Sequence, residues 1–351
     1  MNAPAPRPVR LVLGCTLGAL ALSLLAFAPR LWLMREYIPG TLQWDRAHTF
    51  LLQCADPFRR DVEPAMLWRL LPPLVCHLLG LRGWGALLLP WLGVFAATGY
   101  VAHLHVRRLA DFRFVFGGTL LFATTSAVLA PVGWLGLNDG WVWLGLLAIA
   151  FASSPWTMLA TCVLCPWVDE RFLIGLPLAL AVRQTDTSVG LGRRALLPLL
   201  GLLPYVTVRL VFAFDPAVAG PTQQFLRESL PRAGLLVSWA PIAWWMGLRA
   251  AWLPVAGTIR RNPWLLGGAA TATLVVGLLL AADLSRSAAI VCPLVLLGGF
   301  AFAGRHPRLA PRVALTVGLA NLLIPAAHVT LTKIDPIDNL LVELIRLRHS
   351  P

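Results

Sequence analysis

Long apolar runs, separated by short loops that carry arginine, fill this chain from Val9 to about Leu331. Lipid satisfies no backbone polar group, whereas a helix satisfies its own, so a run of about 20 apolar residues crosses the hydrocarbon core as a helix. With 58% hydrophobic and 13% charged residues, the chain exceeds the balance of a soluble domain. It is predicted to be all-α: a polytopic transmembrane helix bundle forming a single integral membrane domain over 1–351. The net charge of +13 does not argue for nucleic acid. The arginines are scattered through short loops, where anionic lipid headgroups are the fitting partners.

The predicted spans cover 9–28, 85–106, 114–133, 141–153, 156–168, 171–182, 195–214, 233–250, 264–282, 287–303 and 313–331. Segment 65–81 carries Arg69, Pro72, Pro73 and His77 and is too broken for a crossing. Laid flat as an interfacial helix, it keeps Arg107, Arg108 and Arg113 on the inner face. This gives about 11 crossings, with the N-terminus cytoplasmic and the C-terminus periplasmic. Of sixteen acids, only Asp111 and Asp186 then fall inside. The inner bases are Arg7, Arg10, Arg107, Arg108, Arg113, Arg183, Arg193, Arg194, Arg249, Arg260, Arg261, Arg305, Arg308 and Arg312. Arginine-rich composition, short loops and the absence of other targeting signals point to a bacterial inner membrane. The tail 336–349 reads as an amphipathic outer helix.

The start mimics a secretory signal, but the apolar run from Leu11 to Ala28 is long and Pro29 follows it directly, so it is read as a retained helix. Cys162 and Cys165 form a C-x-x-C in an apolar segment, which favours packing over redox or metal chemistry. Cys54 and Cys76 share the first outer loop and are candidates to pair. There is no Walker motif, Rossmann glycine pattern, HExxH or GxSxG, which argues against nucleotide hydrolysis and zinc proteolysis.

Charge in so apolar a chain is where chemistry is sought. The first outer loop holds Asp45, His48, Asp56, Asp61 and Glu63, a set equally consistent with a solvated loop of local ion pairs. Asn138-Asp139-Gly140 is turn chemistry that falls on the same face as Asp45. Asp169-Glu170-Arg171 occupies another outer turn, able to pair locally or to face a cavity. Asp283 and Arg286 can pair at i,i+3, and the Arg286 fork also suits a phosphate. Arg209 lies inside a span, where a charge is costly unless it snorkels or serves function.

Trp44-Asp45 in the first outer loop, the Pro-rich stretch from Arg69 to Gly80 and the approach from Pro131 to Asp139 together resemble the GT-C class of membrane glycosyltransferases. The resemblance covers about residues 1–180; the GT-C-like module would be 1–182, with outer loop 30–84, followed by additional transmembrane helices over 183–331 and an outer amphipathic tail over 332–351. It implies transfer of a sugar from a polyprenyl-phosphate carrier to an acceptor on the outer face. Asp45 and Asp139 would be catalytic, Asp45 as the general base. His48, Arg69, Asp169, Arg171, Arg209 and Arg286 would bind substrate, the arginines taking the carrier phosphate. A divalent metal ion could assist at Asp139, and no nucleotide is needed. Asp45 is followed by Arg46 rather than by a second acid, and no large C-terminal outer domain follows the spans.

Two other classes fit the same layout. A transporter or flippase of a lipid-linked intermediate would use Arg209 and other intramembrane charges as its path. A non-catalytic membrane scaffold would be indifferent to Asp45.

Overall fold

The computed structural model describes residues 8–29, 42–62, 66–185, 191–212, 231, 233–280, 283–330 and 333–349. Arg7, Glu63 and Asp186, and the side chains of Asp45, Arg193 and Arg194, lie outside that description. The described chain is all-α apart from one small hairpin. In order come α1 (Pro8–Ala26), α2 (Leu42–Ala55), α3 (Leu71–Leu78), α4 (Trp84–Arg108), α5 (Phe112–Ala123), α6 (Ser126–Gly133), α7 (Asp139–Phe151) and α8 (Pro155–Leu164). There follow α9 (Arg171–Gln184), α10 (Leu191–Phe212), α11 (Ala233–Leu248), α12 (Trp252–Ile259), α13 (Gly268–Leu280), α14 (Leu284–Ala288), α15 (Cys292–Arg305) and α16 (Ala310–Leu323). The hairpin β1 (Ala326–Val329) and β2 (Ile334–Ile337) and a last helix α17 (Leu340–His349) close the chain.

Four stretches are long and apolar enough to cross a membrane: Pro8–Ala26, Trp84–Arg108, Pro263–Leu280 and Leu284–Arg305. A fifth arises if α5 and α6, bent by 53°, count as one span. The other apolar helices are shorter. The break between α5 and α6 falls at Thr124-Thr125, whose hydroxyls donate to the carbonyls of Leu120 (2.8 Å) and Phe122 (2.8 Å). Such back-bonding bends a helix. Asn321 of α16 locks the bend by donating to Thr124 Oγ1 at 2.8 Å.

Apolar surface gives helices no reason to associate in lipid, so close packing must hold them. Small residues supply it. A Cβ at Gly318 would lie 2.5 Å from the carbonyl oxygen of Gly117, so α5 and α16 meet backbone to backbone. The largest buried cluster joins α4, α7, α9 and α15 around Trp143, Leu147, Phe172 and Ile290.

The structure corrects three sequence expectations. The span 313–331 stops being helical at Leu323. Ile324 precedes Pro325 and is extended (φ −81, ψ 124), as a residue before proline prefers. The chain then forms β1, paired antiparallel with β2 in the register Ala327↔Pro336, so the tail 336–349 begins in a strand and only Leu340–His349 is helical. Second, Arg249 is not in an inner loop. It is fully buried at a break between α11 and α12, with φ +52. Its Nη1 donates to the carbonyls of Asn321 (3.2 Å) and Ile324 (2.8 Å), which the end of α16 leaves unpaired, and its guanidinium lies 4.7 Å from the Phe27 ring. Third, the connection 251–263 contains a helix, α12, packed along α15 so closely that no Cβ fits at Gly298 against Pro254.

Candidate functional site

The loops assigned to the outer face converge at one end of the bundle. The turn before α7, the turn before α9, the segment before α14 and strand β1 all meet there. Apolar helices hold charged turns at their ends, and a charge that is removed from solvent must find a partner.

Asp139 begins α7 and is 1% exposed. Arg286 of α14 grips it in bidentate fashion: Nη2 donates to Oδ1 at 2.8 Å and Nε donates to Oδ2. Arg171 Nη2 stands 3.3 Å from the same Oδ1. Arg171, the first residue of α9, also grips Asp169 through Nε (3.0 Å), Nη2 (2.7 Å) and its backbone N–H (2.9 Å). Arg69 Nη1 reaches Asp169 Oδ2 at 3.1 Å. Arg286 Nη1 donates to Asp283 Oδ2 at 2.5 Å.

His328 of β1 completes the inner part. Its Nε2 lies 3.3 Å from Asp283 Oδ1, and its Nδ1 lies 3.4 Å from Ser285 Oγ. Ser285 Oγ also accepts from the Val329 backbone N–H at 2.9 Å, and the His328 ring packs 4.4 Å from that of Trp134. The break at Pro325 is what delivers His328, by turning the chain back over α14.

The network opens toward Glu170. Its carboxylate stands 3.9 Å from Arg69 Nε and 3.7 Å from Arg209 Nη1. Exposure rises from 1% for the Asp139 side chain to 34% for Glu170, so a ligand can reach this corner and not the Asp139 centre of the network. Arg209 also stacks 4.5 Å from the Trp68 ring. Among the described residues, buried donors here make no hydrogen bond: Arg69 Nε, Arg171 Nη1, Arg209 Nη1 and the Tyr205 hydroxyl.

The two adjacent acids are driven apart. Burial pushes the Asp169 carboxyl up, but the Arg171, Arg69 and Arg286 guanidiniums outweigh it and hold it below the usual carboxylate range. Burial dominates at Glu170 and pushes its carboxyl up, against Arg69 and Arg209. At Asp283, burial is outweighed by His328 and Arg286, and its carboxyl lies well below the ordinary range. Neighbouring carboxyls split in this way mark a site able to carry both an ion pair and a proton.

Beside this corner lies an apolar groove of about 750 Å³. Leu71 and Pro72 of α3, Trp141 and Ala148 of α7, and Ala160 and Val168 on and after α8 line it. Leu71 lies two residues from Arg69 and Val168 adjoins Asp169, so the charged corner sits at one end. From Trp141 to Ala152 the groove follows α7 for roughly 16 Å at a helical rise.

Of the residues singled out from sequence, Arg69, Asp139, Asp169, Arg171, Arg209 and Arg286 meet in this one network. His48 is exposed on α2. Asp45 lies on α2, whose backbone touches the Asp139 loop. Gly136 (φ +79) lies three residues before Asp139, and a Cβ there would stand 3.1 Å from Ala47 Cα and 3.1 Å from the Arg46 carbonyl oxygen. Sequence reasoning did not select Glu170, Asp283, Tyr205 or His328 as site residues. Asp283 was visible as the i,i+3 partner of Arg286, and Glu170 as the neighbour of Asp169. Among the described residues no group of three His, Cys, Asp or Glu suits a metal ion, and both Asp139 oxygens are taken by guanidiniums. The donor set at Asp139 therefore does not fit a metal.

No family model, no curated protein and no solved structure matches this chain.

Proposed function

We propose that this protein is a membrane glycosyltransferase of the GT-C class that moves a sugar from a polyprenyl-phosphate carrier to an acceptor at the outer, periplasmic face of a bacterial inner membrane. One observation carries the reading: an apolar groove ends at a corner where Arg69 Nε and Arg209 Nη1 make no hydrogen bond among the described residues and meet Glu170 only in long ion pairs of 3.9 and 3.7 Å. A lipid phosphate needs both halves, an apolar channel for its chain and forked donors for its oxygens. The topology of about 11 crossings, with the N-terminus cytoplasmic, belongs to this reading.

In the reaction the acceptor hydroxyl oxygen attacks the anomeric carbon of the donor. The bond from that carbon to the phosphate oxygen breaks, and its electron pair leaves with the polyprenyl phosphate. Asp45 takes the hydroxyl proton, and Arg69 and Arg209 stabilise charge gathering on the leaving phosphate. Asp139 acts through the arginines it orients. Glu170 sets the charge of the pocket. Ionised, it occupies Arg69 and Arg209; protonated, it releases both to the phosphate.

The test is turnover of a radiolabelled polyprenyl-phosphate sugar by the full chain in lipid nanodiscs. Asp45→Asn is expected to lose turnover while keeping its melting temperature. Wild-type turnover in that variant overturns the reading.

A second reading, a transporter or flippase of a lipid-linked intermediate, is favoured by the break at Arg249, because discontinuous helices line many transport paths. Movement of a fluorescent polyprenyl phosphate across proteoliposomes, lost in Arg209→Ala and kept in Asp45→Asn, would select it.

A further inference from the structure

Cys54 of α2 and Cys76 of α3 lie 22 positions apart across the first loop, yet both are 0% exposed and share one small apolar cluster with Ala47, Phe50 and Leu135. Their backbones are drawn together by polar contacts. Arg82 Nη1 donates to the Cys54 carbonyl at 3.2 Å, and His77 Nδ1, on the residue after Cys76, lies 3.2 Å from the same oxygen. The Cys76 thiol donates to the Ala86 carbonyl oxygen at 3.9 Å, inside the same cluster. The other described cysteines sit in different surroundings, Cys15, Cys162, Cys165 and Cys292 all within apolar helical segments.

We propose that Cys54 and Cys76 are a disulfide modification site, closed by a disulfide-bearing oxidant of the outer compartment while the first loop folds. The proposal rests on the placement of that loop outside, where thiols oxidise, and not on the glycosyltransferase chemistry.

The step balances. One of the two thiolates attacks one sulfur of the oxidant's disulfide, forming a mixed disulfide and releasing one oxidant thiol. The other then attacks the protein sulfur of that mixed disulfide and displaces the second. Two protein thiols lose two electrons, the oxidant disulfide gains them, and both protons end on its thiols. Because the pair becomes fully buried, oxidation precedes docking of α2, and the closed bond is shielded from reductant afterwards. The bond staples α2 to α3 and so holds the helix bearing Asp45 against the Gly136 turn.

The experiment counts thiols. The full chain is extracted from membranes into denaturing detergent with a mass-tagged maleimide, with or without prior reduction. Of six cysteines, four are expected to be tagged without reductant and six after it. Cys54→Ser should show five tagged without reductant and no reducible pair. Six tags in the unreduced wild type overturn the proposal, as does a reducible pair that persists in Cys54→Ser. The side of the loop is read separately. Arg59→Cys in a Cys54→Ser/Cys76→Ser chain is exposed to a membrane-impermeant maleimide on intact cells. Labelling there with six free thiols in wild type refutes the disulfide alone; no labelling refutes the outer placement on which both proposals rest.

Discussion

Arg286 and Asp139 stand 147 residues apart in the chain and form a bidentate ion pair, both side chains nearly removed from solvent. Around this pair four carboxylates (Asp139, Asp169, Glu170, Asp283) meet four guanidiniums (Arg69, Arg171, Arg209, Arg286). The balance explains how so apolar a bundle tolerates eight charges at one end.

Asp139→Asn leaves Arg286 and Arg171 buried against a neutral amide. Removing one partner of a buried pair costs about 3–5 kcal/mol. The variant should melt well below wild type in detergent. Coupling between Asp139→Asn and Arg286→Met should appear in a double-mutant cycle at about 0.5–3 kcal/mol. Additive effects would show that the pair does not act as a unit.

Stability should hold in mild acid and fail below about pH 4. The folded carboxyls of Asp169 and Asp283 lie below their ordinary range. Their contribution is therefore fully present above the unfolded value and is lost as pH falls through the folded one. Glu170 has the opposite sign: its raised carboxyl opposes folding increasingly as pH rises through the interval above about 4.3. Melting curves in detergent from pH 3 to 8 check both signs, and Glu170→Gln should remove only the second.

Arg209→Ala and Arg69→Ala should weaken donor binding by roughly 10–100-fold, the worth of a hydrogen bond to a charged group. The KM for the lipid donor should carry the loss. An equal loss with a water-soluble sugar acceptor varied at saturating donor would place these arginines elsewhere in the cycle.

Filling the groove should discriminate between donors by chain length. Ala160→Trp places a large ring in the 750 Å³ space away from the charged corner. Turnover with a long polyprenyl donor should fall at least about tenfold, while a short-chain analogue that leaves the far end empty should react as in wild type. A uniform effect on both would mean that the chain lies elsewhere.

Gly136→Ala tests the link between α2 and the Asp139 loop. The position has φ +79, and a Cβ there presses on the Ala47 backbone at 3.1 Å. The left-handed conformation alone costs a non-glycine residue about 1–2 kcal/mol. Melting should fall by at least that much, and turnover should fall further than an equal destabilisation placed on α16.

Most of this cluster could be read before any coordinates. In a chain so apolar, Asp139, Asp169, Arg171, Arg209 and Arg286 stood out as charges, and charges removed from water pair with one another. That they would share one face was an expectation drawn from the arginine bias of the other loops. Pairing was not legible, because nothing in Asp169-Glu170-Arg171 says which acid the arginines choose. Nor was His328, which reads as part of a last apolar span until Pro325 is allowed to end the helix. Arg249 resembles every other loop arginine in sequence; only its positive φ and the open carbonyls of α16 explain its burial.

The pair that anchors the network has a history as well as a geometry. A ribosome adding about 5–20 residues per second needs roughly 7–30 s to make the 147 residues between Asp139 and Arg286. Throughout that interval the nascent bundle carries an acid whose main counter-ion has not been synthesised. The first thirteen helices therefore wait as an unfinished intermediate, and a chain stopped before α14 presents membrane quality control with a carboxylate that only Arg171 pairs, rather than a smaller version of the finished protein.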